Sequence, residues 1–387
     1  MKKHIFPILS HILFALIAVV ITLIIVFTVI TNNQGKLVQL QNVMNQKYID
    51  EIDWDSLEEA AADAIVDALG DRWSYYMTAE EYQSYMEQVS NSFVGMGVTL
   101  GYREDGQGVD VLKVTAGGPA AAAGVLPGDI LVAVDGVSVT EMTSEQISEL
   151  IRGEEGTKAV LTIRRSENNY DVTVTRRHVK VPVATWQMLE DNIGLIAIEN
   201  FDDRCAEETI AAIKALQEQG AEKLIFDVRY NPGGHKSELV KVLDYLLPKG
   251  VLFRSVYYDG SISTINSDTN YLDMPMAVLV NGSTYSAAEF FAAALWEYEA
   301  AVLVGEKTVG KGYFQNVIEL SDGSAVCLSV GKYYTPKQNI SLEGVGLVPD
   351  VVVEIKNNEI AKGIYYGTLD PMEDPQVLAA IAVLQGQ

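Results

Sequence analysis

Three short stretches hold residues whose types and spacing can do chemistry. The first, Asn281-Gly282-Ser283-Thr284-Tyr285-Ser286-Ala287-Ala288-Glu289, follows an apolar run over 276–280 and leads into another over 290–295. This pattern puts Ser286 where a helix begins. Two roles fit it. Ser-x-x-Glu is a capping box, in which Ser286 and Glu289 satisfy each other's orphan amides. A serine there also suits a nucleophile, because free amides and the helix dipole stabilise developing negative charge. The second stretch, Thr308-Val309-Gly310-Lys311-Gly312-Tyr313-Phe314-Gln315, sets one lysine between two glycines. On an extended strand residues four apart share a face, so Lys311 and Gln315 are expected to project together. A serine hydroxyl needs a base, and lysine serves when desolvation brings its pKa down from ~10.4. A lysine in a glycine-flanked turn is equally what a solvated surface residue looks like. The third, Asp227-Val228-Arg229-Tyr230-Asn231-Pro232-Gly233-Gly234-His235, closes an apolar run with a Gly-Gly turn. Its bared amides could line an oxyanion pocket, or form an ordinary strand-to-helix turn.

These stretches sit in an alternating pattern. Strands are expected over 193–198, 223–228, 276–280 and 301–305, and helices over 206–219, 236–247 and 286–298. Such alternation predicts an α/β layer with a buried sheet, whose sites gather where strands hand over to helices.

Upstream, residues 93–181 change to short β-branched runs with glycine punctuation, and Thr143-x-x-Gln146 caps a helix over 147–151. The order Pro119, Ala123, Gly124, Gly128, Asp129, Ile130 gives this region the texture of a PDZ domain, which it resembles. The resemblance implies that Gly95, Met96, Gly97 and Val98 form the loop that binds a peptide's terminal carboxylate, beside a strand edge that accepts an extended tail. Residues 35–92 show helical periodicity, including the capping box Thr78-Ala79-Glu80-Glu81. This helical arm reads either as a spacer or as a dimerisation arm. Residues 5–30 carry no formally charged side chain and exceed the ~18 apolar residues that read as a membrane span. Lys2 and Lys3 precede this span while Lys36 alone follows closely, which puts the N-terminus in the cytoplasm and the rest outside the cell membrane.

The chain has 387 residues, enough for two or three domains, and 28 Lys plus Arg against 52 Asp plus Glu give a net charge of −24. That balance argues against nucleic acid as a partner. Cys205 and Cys327 stand apart from any C-x-x-C pair and read as buried thiols, and His178 and His235 are the only histidines beyond the first dozen residues. No metal site and no cofactor are expected.

Together the segments resemble the C-terminal processing peptidases, tail-specific serine peptidases in which a PDZ domain precedes a Ser/Lys core. The likeness runs from the arm near Tyr48 to Gly344-Val345-Gly346-Leu347-Val348-Pro349-Asp350, and takes in Tyr333-Tyr334-Thr335-Pro336. It implies Ser286 as nucleophile, Lys311 as general base and Gln315 as the group orienting the lysine. It also implies an oxyanion hole from Ala287 and Gly233, and a regulatory arginine at Arg152. The sequence departs from the family's usual alternating Ser and Ala by placing Tyr285 before the serine, by carrying Glu297 where Asp is usual, and by placing His235 after the Gly-Gly turn. The expected architecture is an α/β multidomain chain. It comprises a cytoplasmic tip and transmembrane helix (1–34), the arm (35–92), the PDZ domain (93–181), the peptidase core (182–355), and a helical C-terminal segment on arm or core (356–387). The expected function is a membrane-anchored serine endopeptidase acting on apolar C-terminal tails, with a homodimer through the arm as a further expectation. A catalytically silent PDZ adaptor and a cell-surface scaffold are the alternative readings.

Overall fold

The computed structural model describes residues 19–21, 35–103 and 105–386. The expected span over 5–30 lies outside the described residues except for 19–21, which are helical. Among the described residues no helix is long and apolar enough to cross a membrane. The described chain forms two compact units, divided after Ile65.

The first unit holds the helix Lys36–Lys47 and most of the helix Trp54–Asp67. Trp54 Nε1 donates to Asn45 Oδ1 at 3.2 Å and Gln41 Nε2 to Glu58 Oε1 at 3.2 Å, which ties the two helices together. Leu37, Leu40 and Val43, spaced three residues apart, remain exposed.

In the second unit, the strands Ser92–Gly95 and Arg177–Lys180 pair antiparallel and bracket the β-rich domain between them. Its sheet runs in the order Val98–Tyr102, Val109–Val114, Ile130–Val134, Lys158–Arg165, Asn168–Thr175, and the short strand Val137–Ser138 pairs with Ile130–Val134. Alternation turns Val109, Val111, Leu161 and Ile163 inward, where they meet Ile147 and Ile151 of the helix Ser144–Ile151. The expected Thr143–Gln146 capping box starts that helix. A groove of about 740 Å³ separates the helix from the strand Val98–Tyr102.

The core is built on a six-stranded sheet, ordered Ala184–Met188, Ile193–Ile198, Lys223–Asp227, Met276–Val280, Ala301–Gly305, Val351–Val352. Its first pair is antiparallel and the others parallel. All five residues of Met276–Val280 are buried, because both faces of the sheet are covered. Val278 and Val280 face the helices Cys205–Glu218, Lys236–Leu246 and Ala287–Glu297 in a cluster with Phe226, Phe290 and Phe291. Burying each phenylalanine stabilises the fold by about 1.5–3 kcal/mol. Ala277 and Leu279 face the C-terminal helix Pro375–Gln385 through Val377, Ala380 and Leu384. The last helix of the chain therefore packs on the core sheet. Arg229 bridges Asp227 at 2.5 Å and Asp374 at 2.7 Å in a nearly buried cluster that fixes this helix's start.

A second, antiparallel sheet was not legible as such from the alternating pattern. It runs Tyr75–Met77, Ala325–Tyr334, Val251–Tyr257, Ile262–Asn266, with Tyr313–Glu319 also paired to Ala325–Tyr334. Tyr75–Met77, a strand between the helices Trp54–Asp67 and Ala79–Val89, thus joins a sheet of the core.

Candidate active site

Ser286 follows the buried strand Met276–Val280 and begins the helix Ala287–Glu297. An ordinary N-cap has extended dihedrals. Ser286 instead has φ 59° and ψ −123°, a conformation that costs a non-glycine residue on the order of 1–3 kcal/mol. The surrounding loop enforces it. Buried Thr284 donates from Oγ1 to Val228 O at 2.8 Å and accepts from Asn281 N at 3.0 Å, while Tyr285 N donates to Asn231 O at 3.2 Å.

Glu289 does more than cap. Fully buried, its carboxylate accepts from Ser286 N at 3.1 Å, Lys311 N at 2.8 Å, Gly310 N at 2.7 Å and Thr308 Oγ1 at 2.5 Å. One side chain therefore ties the serine loop to the lysine loop. Burial pushes this carboxyl above the usual range, and the four donors, Thr308 foremost, pull it back.

Lys311 lies in the loop before the strand Tyr313–Glu319. A Cβ on Gly310 would sit 2.8 Å from Gly346 N, and one on Gly312 would sit 2.6 Å from Glu343 N. The flanking glycines thus allow the close backbone approach expected of them. The Lys311 amine lies 4.5 Å from the Trp73 ring centroid and 5.8 Å from that of Tyr285. Burial holds it below the usual lysine range. The carboxylates of Asp71 and Glu343 oppose this, and Arg72 reinforces it.

Ser286, Lys311 and Gln315 line one cleft of about 580 Å³, with Gly233, Gly234, His235, Tyr285 and Cys327. Among the described residues, no hydrogen bond joins Lys311 Nζ to Ser286 or to Gln315. Gln315 Nε2 donates instead to Ser329 Oγ at 3.0 Å. Lys311 precedes the strand, whose pairing shifts register between Phe314 and Gln315; the two side chains share the cleft, and Gln315 is engaged by Ser329 and not by the lysine. Buried Tyr333 donates from its hydroxyl to Lys311 O.

Ala287 N is the first amide of its helix and so one of the donors with no partner inside the helix. Gly233 packs beside it: with φ +95°, a Cβ there would lie 2.8 Å from both Ala287 N and Ser286 Cβ. The Gly233 amide donates to Asn231 Oδ1 at 2.8 Å, so it is engaged within its own turn. His235 is the residue before the helix Lys236–Leu246, with Nδ1 3.6 Å from Asp203 Oδ1. Burial raises neighbouring Asp202 to about 6, against the opposing effect of His235.

Gly95 ends its strand. Met96 is fully buried and its carbonyl accepts from Ala120 N at 2.9 Å, and Gly97 has φ +73°. Val98 and Arg152 both line the groove, and neither lines the serine cleft. Glu297 accepts from Lys337 N at 2.7 Å and Gln338 N at 3.2 Å, a loop-holding position. Cys205 and Cys327 are free and buried. Among the described residues no group of His, Cys, Asp and Glu is arranged to hold a metal ion. Sequence reasoning missed Trp73 and Ser329, which come from other parts of the chain. It saw Glu289 as a cap alone; its place between the serine loop and the lysine loop carried no local signal.

The model of the peptidase family S41 matches residues 192–353, and that of the PDZ domain residues 111–165. A protein of Staphylococcus aureus (strain COL) described as a probable CtpA-like serine protease is 31% identical over 327 residues, covering 84% of this chain and 65% of its own. A Staphylococcus saprophyticus protein with the same description is 31% identical over 323 residues, covering 82% and 65%. The chain thus spans 65% of the length of these relatives. A solved structure from Bacteroides fragilis, described within the S41 proteases, shares the fold with TM-score 0.60 and 19% identity, over 89% of this chain and 96% of that one. With its serine loop, lysine loop and Gly-Gly turn inside the matched region, residues 192–353 form a domain of the peptidase S41 type, and a PDZ domain matched over residues 111–165 stands ahead of it.

Proposed function

We propose that this chain is a serine endopeptidase that binds protein tails in its PDZ groove and cleaves them with Ser286 and Lys311. The observation that carries the reading is the strained Ser286 at a helix start, sharing a cleft with a half-buried lysine whose loop is fastened to it by Glu289. In the reaction, neutral Lys311 Nζ takes the proton of Ser286 Oγ as Oγ bonds to the scissile carbonyl carbon. The resulting oxyanion faces the Ala287 amide, joined by that of Gly233 once Asn231 Oδ1 releases it. The Lys311 ammonium then gives its proton to the leaving amine as the C–N bond breaks. A water deprotonated by Lys311 hydrolyses the acyl ester. Catalysis on this reading requires Lys311 to turn from Trp73 toward Ser286, with Gln315 leaving Ser329 to orient it.

The groove's Val98, Leu100, Ile147 and Ile151 suit apolar tail residues, and the free edge of Val98–Tyr102 suits an added strand. The uncharged stretch 5–30 behind Lys2 and Lys3 supports a membrane anchor with the peptidase part outside, and exposed Leu37, Leu40 and Val43 support pairing through the arm. The second reading, a silent adaptor that only binds tails, draws on the engaged Gly233 amide and on Gln315 turned to Ser329.

The test is incubation with an unstructured protein ending in apolar residues. The unsubstituted protein is expected to cleave it and to be labelled at serine by a fluorophosphonate, whereas Ser286→Ala and Lys311→Ala do neither. Full cleavage by Lys311→Ala overturns the lysine's role. Tail binding without labelling in any form establishes the adaptor.

A further inference from the structure

The Lys311 amine is faced by a residue from a part of the chain outside both matched regions. The turn Asp71-Arg72-Trp73-Ser74 is closed by Asp71, whose carboxylate accepts from Trp73 N at 3.2 Å and Ser74 Oγ at 2.6 Å. Ser74 Oγ accepts in turn from Ser329 N at 3.0 Å, and Tyr75, Tyr76 and Met77 pair with Cys327, Val326 and Ala325. The turn is thus held on the same strand that pairs with Tyr313–Glu319, just after Lys311. The indole is fixed on several sides. Its ring lies 6.1 Å from Tyr285 at 20°, the Arg72 guanidinium stands 4.1 Å from its centroid, and Nε1 donates to Glu343 Oε1 at 3.5 Å. The other oxygen of Glu343 accepts from Gly312 N at 2.7 Å, so the indole and the lysine loop share one carboxylate.

We infer that Trp73 is a positioning residue for the reaction, its indole forming with Tyr285 the wall that keeps water from the Lys311 amine. The inference rests on the Ser-Lys reading above. Two effects of the ring oppose each other. Its face attracts a cation and favours the ammonium, while its bulk excludes water and favours the free amine. Burial is the foremost influence on this amine and leaves it below the usual lysine range, so exclusion of water dominates. The charged and titratable groups around it are Asp71, Arg72, Glu343, Cys327 and Tyr285. None of them is removed by substituting Trp73.

The test uses the full chain and follows the rate of fluorophosphonate labelling at Ser286 from pH 5 to 10. Opening the wall by Trp73→Ala is expected to move the acid limb upward by about one pH unit, roughly a tenfold loss on that limb. Trp73→Phe, which restores an aromatic wall, is expected to return the limb toward that of the unsubstituted protein. If Trp73→Ala proves poorly folded by circular dichroism, Trp73→Gln, which brings a hydrated group to the same place, is expected to give the same shift. A limb that stays in place while the plateau falls would mean a merely structural indole and overturns the inference. Lys311→Ala separates the two levels: an acid limb that survives in it belongs to another group and refutes the underlying Ser-Lys reading.

Discussion

Glu289→Gln separates two roles that the residue combines. Glutamine is an accepted third residue of a capping box. If Glu289 only capped the helix, the substitution would be close to neutral. The structure assigns its two oxygens four donors, three backbone amides and the Thr308 hydroxyl. A carboxamide has one oxygen and one NH2, so two of those donors would face another donor in a site with no water access. Each buried donor left unsatisfied costs about 1–3 kcal/mol, which puts the substitution at about 2–6 kcal/mol. For a unit of this size that is a fall in Tm on the order of 10 °C. The fall should come with slower Ser286 labelling, because the lost bonds hold the serine and lysine loops together. Thermal unfolding followed by circular dichroism, paired with fluorophosphonate labelling at a temperature where both forms are folded, measures the two effects. A Glu289→Gln protein with unchanged Tm and unchanged labelling would refute the bridging role.

Two further substitutions probe the site's setting. Gly233→Ala puts a left-handed conformation on alanine, at about 1–2 kcal/mol, and sets a Cβ 2.8 Å from Ala287 N and Ser286 Cβ. Since displacements near 1 Å cost about 10²-fold in rate, cleavage should drop by that order in a chain that circular dichroism shows to be folded, and retained cleavage would refute the close approach. Arg229→Ala strands Asp374 near full burial and Asp227 half-buried, and should lower stability by about 3–5 kcal/mol, read as a lower urea midpoint; an unchanged midpoint would show that the cluster is solvated.

Much of the site was legible because its signals are local. The strand-turn-helix around Ser286 is written in an apolar run, a polar loop and a capping pair. The glycines beside Lys311 announce close contact, which the loop 342–346 provides. What escaped depended on distance or on geometry without a residue signature. The spacing brings Lys311 and Gln315 to one cleft, but Ser329, the residue opposite Gln315 across the register shift, takes its amide, and no spacing rule names that partner. The left-handed backbone of Ser286 belongs to no composition rule, and Trp73 meets Lys311 only through pairings between segments far apart in the chain. For the same reason the antiparallel sheet was missed: its neighbours are set by tertiary pairing, and alternation within a strand does not name its partner.

The ribbon formed by Ser92–Gly95 and Arg177–Lys180 brings the entry and exit of the β-rich domain side by side. A module entered and left by two adjacent strands resembles a leaf on its petiole. It can be cut away there and the ends rejoined by a short turn, since closing so small a gap costs little chain entropy. The fold therefore lets the β-rich module be exchanged for another while the sheets behind it stay as they are.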